Sequence, residues 1–333
     1  MAESKNEMTP MRRQYYQIKE RNQDCILFFR LGDFYEMFDE DAKLAAKELD
    51  LTLTTRDRGK PKEEQNPMCG VPHHSVDAYI ARLVAKGYKV AVCEQVEDPA
   101  QAKGIVEREV TRIVTPGTVT ESCMLDESKN NYIACLYADG GKAGLAFCDI
   151  STGAFYATVC DDASAAASEL GRFAPTEVIR YGRDCTNPTY QDALFHRLNC
   201  CVDEGKPEQF DLSAAETILQ QHFGQDLAAL GIASFPEAII ASGTLLQTLL
   251  SLLKNDLAHI RDLQYYTTGL FMDLDLDARR NLELTETMRS KEKKGTLLWV
   301  LDKTRTAMGG RTLRSWVEKP LFDPDEKQNM KEN

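Results

Sequence analysis

The chain has 333 residues, which at ~100 to 200 residues per domain is enough for two domains or slightly more. Hydrophobic residues at 43% and charged residues at 28% are near the averages for globular proteins, so the composition excludes disordered, collagen-like and membrane classes. The 40 basic and 52 acidic side chains give a net charge of -12, which argues against a polyanion binder that relies on bulk positive charge. Any contact with a nucleic acid must therefore be local.

Two features of the sequence bear on location and redox state. No apolar run approaches the ~18 residues that a membrane helix needs, and residues 1–13 are polar, which predicts a cytoplasmic protein without a membrane partner. The ten cysteines form no Cys-x-x-Cys pair, which favours reduced core thiols over a zinc site or a redox dithiol. The adjacent Cys200 and Cys201 also allow a metal or redox interpretation, but neighbouring side chains of a strand point to opposite faces.

The first 115 residues predict a compact α/β domain. Thr9 and Pro10 are an N-cap and a first-turn proline that open an amphipathic helix. The later elements, in chain order, are a buried strand at 25–30, a turn at Gly32-Asp33, a helix at 39–51, a surface loop at 52–64, a helix from Ser75 to Gly87 and a strand at 88–93. This region carries 18 basic and 20 acidic side chains, net -2, against net -10 for residues 116–333, so it is the favoured place for a polyanion.

The rest of the chain predicts a linker, a second domain and the beginning of a third. Residues 116–127 contain Pro116-Gly117 and little apolar periodicity, which indicates a linker to a domain at 128–255. That domain begins as a meander and continues with a further strand and an apolar helix; the strands are predicted at 132–137, 143–150, 153–159 and 177–181, and the helix at 243–253. Residues 256–333 carry an apolar helical stripe with too few partners, which predicts a helical domain that this chain only begins.

The segment from Gly32 to Phe38 is the candidate functional site, because three aromatic residues follow a glycine turn and enclose one carboxylate. Aromatic residues beside a strand are usually core and a lone acid is usually a solvated surface group, so composition alone favours packing. In an extended segment, however, Phe34 and Glu36 lie on one side and Tyr35 on the other. That alternation places an apolar wedge beside a hydrogen-bonding group.

Several long motifs carry a resemblance to a known family. The runs FFRLGDFYEMF and NPMCGVPHHSVDAYIARLVAKGYKVAVCEQVEDP resemble the mismatch-recognition domain of the bacterial MutS family of DNA mismatch-repair proteins. The resemblance continues through REVTRIVTPGT, the DISTG of a connector domain, and RRNLEL with GTLLWVLDKTRTAMGGRTLRSWVEKPL. It implies an α/β (mixed α+β) chain with a mixed-sheet mismatch-recognition domain, an RNase H-like connector domain and the start of an all-α lever domain.

The resemblance also implies roles for the candidate site. Phe34 is expected to stack on a mispaired base from the minor groove and Glu36 to contact that base, so that the deformability of the duplex is what the protein reads. Because phosphates repel a carboxylate, Glu36 is expected to act as a selectivity device rather than an affinity device. It can accept a hydrogen bond from a base N–H when ionised or donate one to a ring nitrogen when protonated.

Phosphate contacts are expected from two further groups of residues, namely Arg56, Arg58, Lys60 and Lys62 in the basic loop, and His73 and His74. A charged loop is most often solvated, and the two histidines have no third ligand at metal spacing.

The implications for a full-length protein reach beyond these residues. The sequence contains no G-x-x-x-x-G-K-[ST] loop, so no catalytic residue and no metal or cofactor site is predicted in this chain. The family resemblance implies a DNA-dependent ATPase with ATP and Mg²⁺ in the full-length protein only. The partners that it implies are mismatched double-stranded DNA, a MutL-type repair protein at the connector domain and, at full length, a homodimer. The expected location is the bacterial cytoplasm, at the nucleoid.

Two other functions remain open from the sequence. Asp149 lies in a strand-like run, as in RNase H-like enzymes that hold a metal on a strand carboxylate, but two-metal chemistry needs clustered carboxylates and no clear companion is present. We therefore expect a structural Asp149. The other alternative is an interaction module of a repair complex without independent DNA reading, and duplex binding by residues 1–115 distinguishes the two.

Overall fold

The computed structural model describes residues 9–56, 65–97, 104–121, 123–270, 272 and 274–321. The chain divides into two compact units, of which the first comprises residues 1–124 with 251–255 and the second residues 125–250 with 256–333. Each unit contains a mixed sheet and helices, so the mixed α/β class predicted from the sequence is confirmed.

The first unit is a sheet with helices on both faces. Its described strands are β1 (Cys25–Leu31), β2 (Phe34–Phe38), β3 (Met68–Pro72), β4 (Lys89–Gln95) and β5 (Arg108–Val114). Its described helices are α1 (Pro10–Arg21), α2 (Asp39–Leu49) and α3 (Val76–Val84). The sheet order is β3-β2-β1-β4-β5, in which β1 and β4 are parallel and the other neighbours are antiparallel.

Helix α1 covers one face of this sheet. It begins where the sequence predicted, because the Thr9 side chain accepts a hydrogen bond from the Arg12 backbone and proline occupies the first turn. Tyr15 of α1 contacts Phe29 and Phe38 edge-on, with ring centroids 5.5 and 4.9 Å away. The strand residues on this face therefore form a core against α1.

Helices α2 and α3 cover the opposite face. The Cys69 thiol of β3 donates to the Ala42 carbonyl of α2 at 3.4 Å, and Ile80 of α3 is fully buried. Helix α2 ends at Leu49, two residues before the predicted end, because Asp50 has a φ of 58° in the left-handed region that ends helices.

The second unit contains a six-stranded sheet among its described residues. The strands are β6 (Ile133–Asp139), β7 (Lys142–Asp149), β8 (Ala154–Cys160), β9 (Glu177–Tyr181), β10 (Cys201–Glu204) and β11 (Gln264–Tyr265). The helices are α4 (Ala163–Phe173), α5 (Pro188–Gln191) with a π-helical continuation at Asp192–Leu198, α6 (Leu212–Phe223), α7 (Pro236–Leu253), α8 (Leu276–Asn281), α9 (Leu297–Leu301) and α10 (Ala307–Glu318).

The topology of the second sheet agrees with the RNase H-like expectation. The order is β10-β9-β6-β7-β8-β11, in which β6, β7 and β8 form an antiparallel meander and β9 and β10 follow in parallel on the other side of β6. The four strands predicted from the sequence correspond to β6 through β9. The two-residue strand β11 adds to the far edge beside β8.

Helix α7 lies against β7 at backbone distance. A Cβ atom at Gly144 of β7 would stand 2.0 Å from the carbonyl oxygen of Glu237. A Cβ atom at Gly243 of α7 would stand 2.4 Å from the Cβ of Ala215 in α6. Both glycines therefore permit contacts that any side chain would prevent.

One helix contradicts the expectation that no apolar run approaches membrane length. Helix α7 has 18 residues with a mean hydropathy of 1.3, which is enough to cross a membrane by length and composition. However, 56% of its residues are buried inside the fold, and the core helix of a globular protein passes the same test. Its apolar character is explained by contacts with β7 and α6.

The last described helices carry an exposed apolar surface, as the sequence predicted. Leu298 is buried, but several neighbouring side chains are about half exposed or more, namely Leu297, Trp299, Val300, Leu301, Met308 and Trp316. Helix α9 has only five residues, and the exposed apolar side chains of α9 and α10 lack a complete core among the described residues.

Candidate nucleic-acid interface

A tight hairpin presents the candidate site. Strands β1 and β2 are joined by the two residues Gly32 and Asp33, and Leu31 pairs with Phe34 across the turn. Gly32 has a φ of 61°, whereas Asp33 is not among the residues with positive φ, which is the combination expected of a type II′ hairpin turn. The sequence predicted this turn but connected it to the following helix. The structure places strand β2 between them.

Phe34 is the exposed member of an otherwise buried strand. Its side chain is 48% exposed, whereas Tyr35 and Met37 are 3% and 0% exposed. The residue is fixed on both sides, because it pairs with Leu31 of β1 and with Pro72 of β3. Phe34 is therefore not part of the core, and the packing alternative that composition favoured does not describe it.

Glu36 is buried on the same face of β2. It pairs with Phe29 of β1, whose ring belongs to the core against α1, and with Gly70 of β3. Its Oε1 accepts a hydrogen bond from Arg56 Nη2 at 2.5 Å, and its buried Oε2 has no hydrogen-bond partner among the described residues. A buried oxygen without a hydrogen bond destabilises the protein. A donor that reaches this oxygen would remove that free-energy cost.

Tyr35 anchors the opposite face of β2. Its ring lies 6.2 Å from that of Phe28, and its hydroxyl donates to Glu94. Burial raises the pKa of Tyr35 to about 12, and the hydrogen bond to Glu94 acts in the same direction. The hydroxyl therefore remains a neutral donor at physiological pH, and the alternation expected between Phe34, Tyr35 and Glu36 is present.

The two histidines lie at the same end of the sheet as Phe34. The His73 backbone donates to the Asp33 carbonyl at 2.9 Å, which ties the end of β3 to the hairpin turn. The rings of His73 and His74 are 5.9 Å apart in an edge arrangement. No group of three metal-binding side chains occurs among the described residues.

The basic loop is described only in part. Arg56 lies within the described residues, and Arg58, Lys60 and Lys62 lie outside them. The ion pair between Arg56 and Glu36 is the contact that sequence reasoning missed. Twenty residues of chain separate the two, so no periodicity of a helix or strand connects them.

The surroundings of Asp149 indicate a structural role. This fully buried residue accepts hydrogen bonds from Asn130 Nδ2 at 2.6 Å, Ser151 N at 2.9 Å and Ser151 Oγ at 2.7 Å. Its oxygens thus fix the turn between β7 and β8. None of the ten cysteines, all of which lie within the described residues, forms a disulfide bond, and none belongs to a metal-binding group among those residues.

Comparison with protein families identifies three consecutive domains. Residues 9–123 match the model of MutS domain I, residues 131–261 that of MutS domain II and residues 277–328 that of MutS domain III. Together the three matches cover most of the chain, in the order I, II, III. This order of domains is that of a class of multidomain DNA mismatch-repair proteins.

Curated proteins similar to this chain are named DNA mismatch repair protein MutS. The DNA mismatch repair protein MutS of Ruminiclostridium cellulolyticum is 51% identical over 319 residues, which are 95% of this chain and 36% of the relative. MutS of Acetivibrio thermocellus is 47% identical over 323 residues, 95% of this chain and 36% of the relative. MutS of Clostridium perfringens is 48% identical over 328 residues, 96% of this chain and 34% of the relative. The chain belongs to the MutS family and spans about a third of the length of these relatives.

Proposed function

We propose that this chain recognises mispaired or looped-out bases in duplex DNA and so initiates DNA mismatch repair. One observation carries the proposal: Phe34 is 48% exposed at the start of a strand whose four following residues are buried. An aromatic ring on a paired strand, beside a buried acceptor in Glu36, suits a ligand with flat faces and N–H donors. Bases in DNA have both properties.

The mechanism follows from the free energy of deforming DNA. An apolar side chain that enters the minor groove between base steps unstacks them at a cost of roughly a few kcal/mol per step and kinks the duplex. A mispaired step is less well stacked and opposes the kink less than a correct step. Phe34 would thus select for deformable sites, and no particular base sequence would be needed.

Phe34→Ala should abolish the preference for a mismatched over a matched duplex. Loss of ring stacking worth about 1–3 kcal/mol corresponds to a roughly 5- to 150-fold fall in affinity for the mismatch. Fluorescence anisotropy in a salt series measures this, beginning at low salt because phosphate contacts weaken steeply with ionic strength. The measurement uses the 333-residue chain and the same chain joined to the remaining two thirds of the Ruminiclostridium cellulolyticum relative.

A matched control is available in the second unit. Phe195 is 41% exposed, so Phe195→Ala removes the same ring from a similarly exposed position and should leave the mismatch preference unchanged. Urea unfolding should give the same midpoint for Phe34→Ala as for the unaltered chain. Equal loss in both variants, or no preference in the unaltered proteins, would favour the alternative of an interaction module without DNA reading.

Glu36→Ala should reduce the preference for mismatched DNA because affinity for the matched duplex is retained or rises. Removing the carboxylate ends its repulsion of phosphates, so affinity for matched DNA should be unchanged or up to about tenfold higher. Affinity for the mismatch should not rise in parallel. Anisotropy with both duplexes measures the two constants, and a large loss of matched-duplex binding contradicts this role.

The remaining parts of the proposal concern a longer protein. Because the chain spans about a third of its curated relatives, the parts that would supply an ATPase with ATP and Mg²⁺ and a homodimer interface are proposed for a full-length protein. A MutL-type partner is proposed for the second unit, and a cytoplasmic location at the nucleoid follows from the substrate. Domain I of the family model, matched at residues 9–123, supports placing DNA recognition in the first unit.

A further inference from the structure

An ion pair in the candidate site occupies only half of a carboxylate. Arg56 Nη2 donates to Glu36 Oε1, and Glu36 Oε2 is buried without a hydrogen-bond partner among the described residues. The side chains are unequally exposed, at 52% for Arg56 and 12% for Glu36. A solvent-exposed cation thus compensates the charge of a buried carboxylate through one oxygen and leaves the other as an unused acceptor.

The neighbouring strands restrict Glu36. Its backbone is paired with Phe29 on one side and Gly70 on the other, so the residue cannot shift along the sheet. A Cβ atom at Gly70 would stand 3.5 Å from Glu36 Cγ, in van der Waals contact. With the backbone held in place, the contact with Arg56 decides which oxygen of the carboxylate is occupied.

The chemistry of the unused oxygen indicates what would satisfy it. In a correct base pair, the N–H groups of the pairing edge are already bonded to the opposite base, whereas a mispair frees some of them. A buried carboxylate oxygen gains most from such a donor, because both groups otherwise remain unsatisfied. Glu36 Oε2 therefore stabilises the complex with a mispair through a hydrogen bond that matched DNA does not form.

We infer that Arg56 is a positioning residue for mismatch recognition. It holds Glu36 by Oε1, so that Oε2 serves as the acceptor for a base N–H, and it offsets the repulsion between the carboxylate and the phosphates. The inference rests on the proposed function. It differs from the expectation of a phosphate contact, in which Arg56 would strengthen matched and mismatched complexes alike.

A double-mutant cycle between Arg56 and Glu36 tests this inference. The measured quantity is the ratio of the Kd for matched DNA to the Kd for mismatched DNA, for Arg56→Gln, Glu36→Gln and the double variant, in the chain and in its fusion to the remainder of the relative. Each single substitution should lower the ratio by about three- to tenfold, since each weakens a charge-assisted hydrogen bond. The double variant should match Glu36→Gln alone, because Arg56 acts only through Glu36.

A conservative variant and a matched control sharpen the result. Only one guanidinium nitrogen contacts Glu36, so Arg56→Lys should restore most of the ratio with an ammonium in its place. Arg82 is 46% exposed and pairs with Asp50 at 3.3 Å, so Arg82→Gln removes a comparable surface arginine and should leave the ratio unchanged.

The outcomes separate this inference from the proposed function. A phosphate contact predicts that Arg56→Gln weakens both duplexes equally, reduces the slope of log K against log salt by about one, and adds to Glu36→Gln in full. That result overturns the inference about Arg56. The proposed function would still stand if Phe34→Ala abolishes the preference for mismatched DNA. If neither unaltered protein prefers mismatched DNA, the proposed function and the inference fall together.

Discussion

Gly144→Ala should destabilise the second unit by about 3 kcal/mol or more, at the upper end of the effects of overpacking. The added Cβ would lie 2.0 Å from the Glu237 carbonyl oxygen and 2.3 Å from its carbonyl carbon, so it meets backbone rather than a flexible side chain. Helix α7 would have to move away from β7 and lose apolar contacts along its buried length. Urea unfolding followed by circular dichroism measures the change in the free energy of unfolding.

A second glycine provides the control for that experiment. A Cβ atom at Gly269 would meet nothing within 4 Å, so Gly269→Ala should change the free energy of unfolding by less than about 1 kcal/mol. Equal midpoints for Gly144→Ala and the unaltered chain would mean that α7 does not lie against β7 as described.

Asp149→Ala should cost about 3 kcal/mol of stability. The substitution removes a fully buried acceptor that takes part in three hydrogen bonds, with Asn130 Nδ2, the Ser151 backbone N–H and the Ser151 hydroxyl. Asp149→Asn keeps the shape and one acceptor oxygen, so it should cost less. Urea unfolding of both variants provides the comparison.

The same variants test the enzyme alternative. A structural Asp149 predicts no stabilisation of the unaltered chain by Mg²⁺ or Mn²⁺ beyond that seen for Asp149→Ala. A metal-dependent gain in stability that disappears in the variant, together with cleavage of DNA by the unaltered chain, would assign Asp149 to a catalytic site instead.

The strands that the sequence predicted are those whose signal is local. Runs 25–30 and 143–150 are apolar enough to be identified without knowledge of their neighbours. Strands β3 and β5 were missed as separate elements, because β3 contains glycine and proline and β5 is mostly polar. Their formation depends on pairing with β2 and β4, which is a property of the assembled sheet.

The candidate site, like the strands, was predictable where its signal is local and not where it depends on the assembled sheet. The turn and the alternation of Phe34 with Tyr35 follow from strand geometry, and the role of Phe34 follows from the family resemblance. Composition could not separate an exposed ring from a buried one, since that difference depends on where the sheet ends. The pairing of Arg56 with Glu36 depends on how a loop returns to β2, for which the sequence contains no pattern.

The two-sided support of strand β2 has a consequence for the thermodynamics of recognition. Phe34 is carried by a strand that has backbone partners in β1 and β3, not by a free loop. Little protein entropy remains to be lost when the ring meets its ligand, so the protein side of the complex is preorganised. The temperature dependence of affinity would then be set by the stiffness of the nucleic acid and not by the folding of a loop. It would differ from one lesion to another as that stiffness differs.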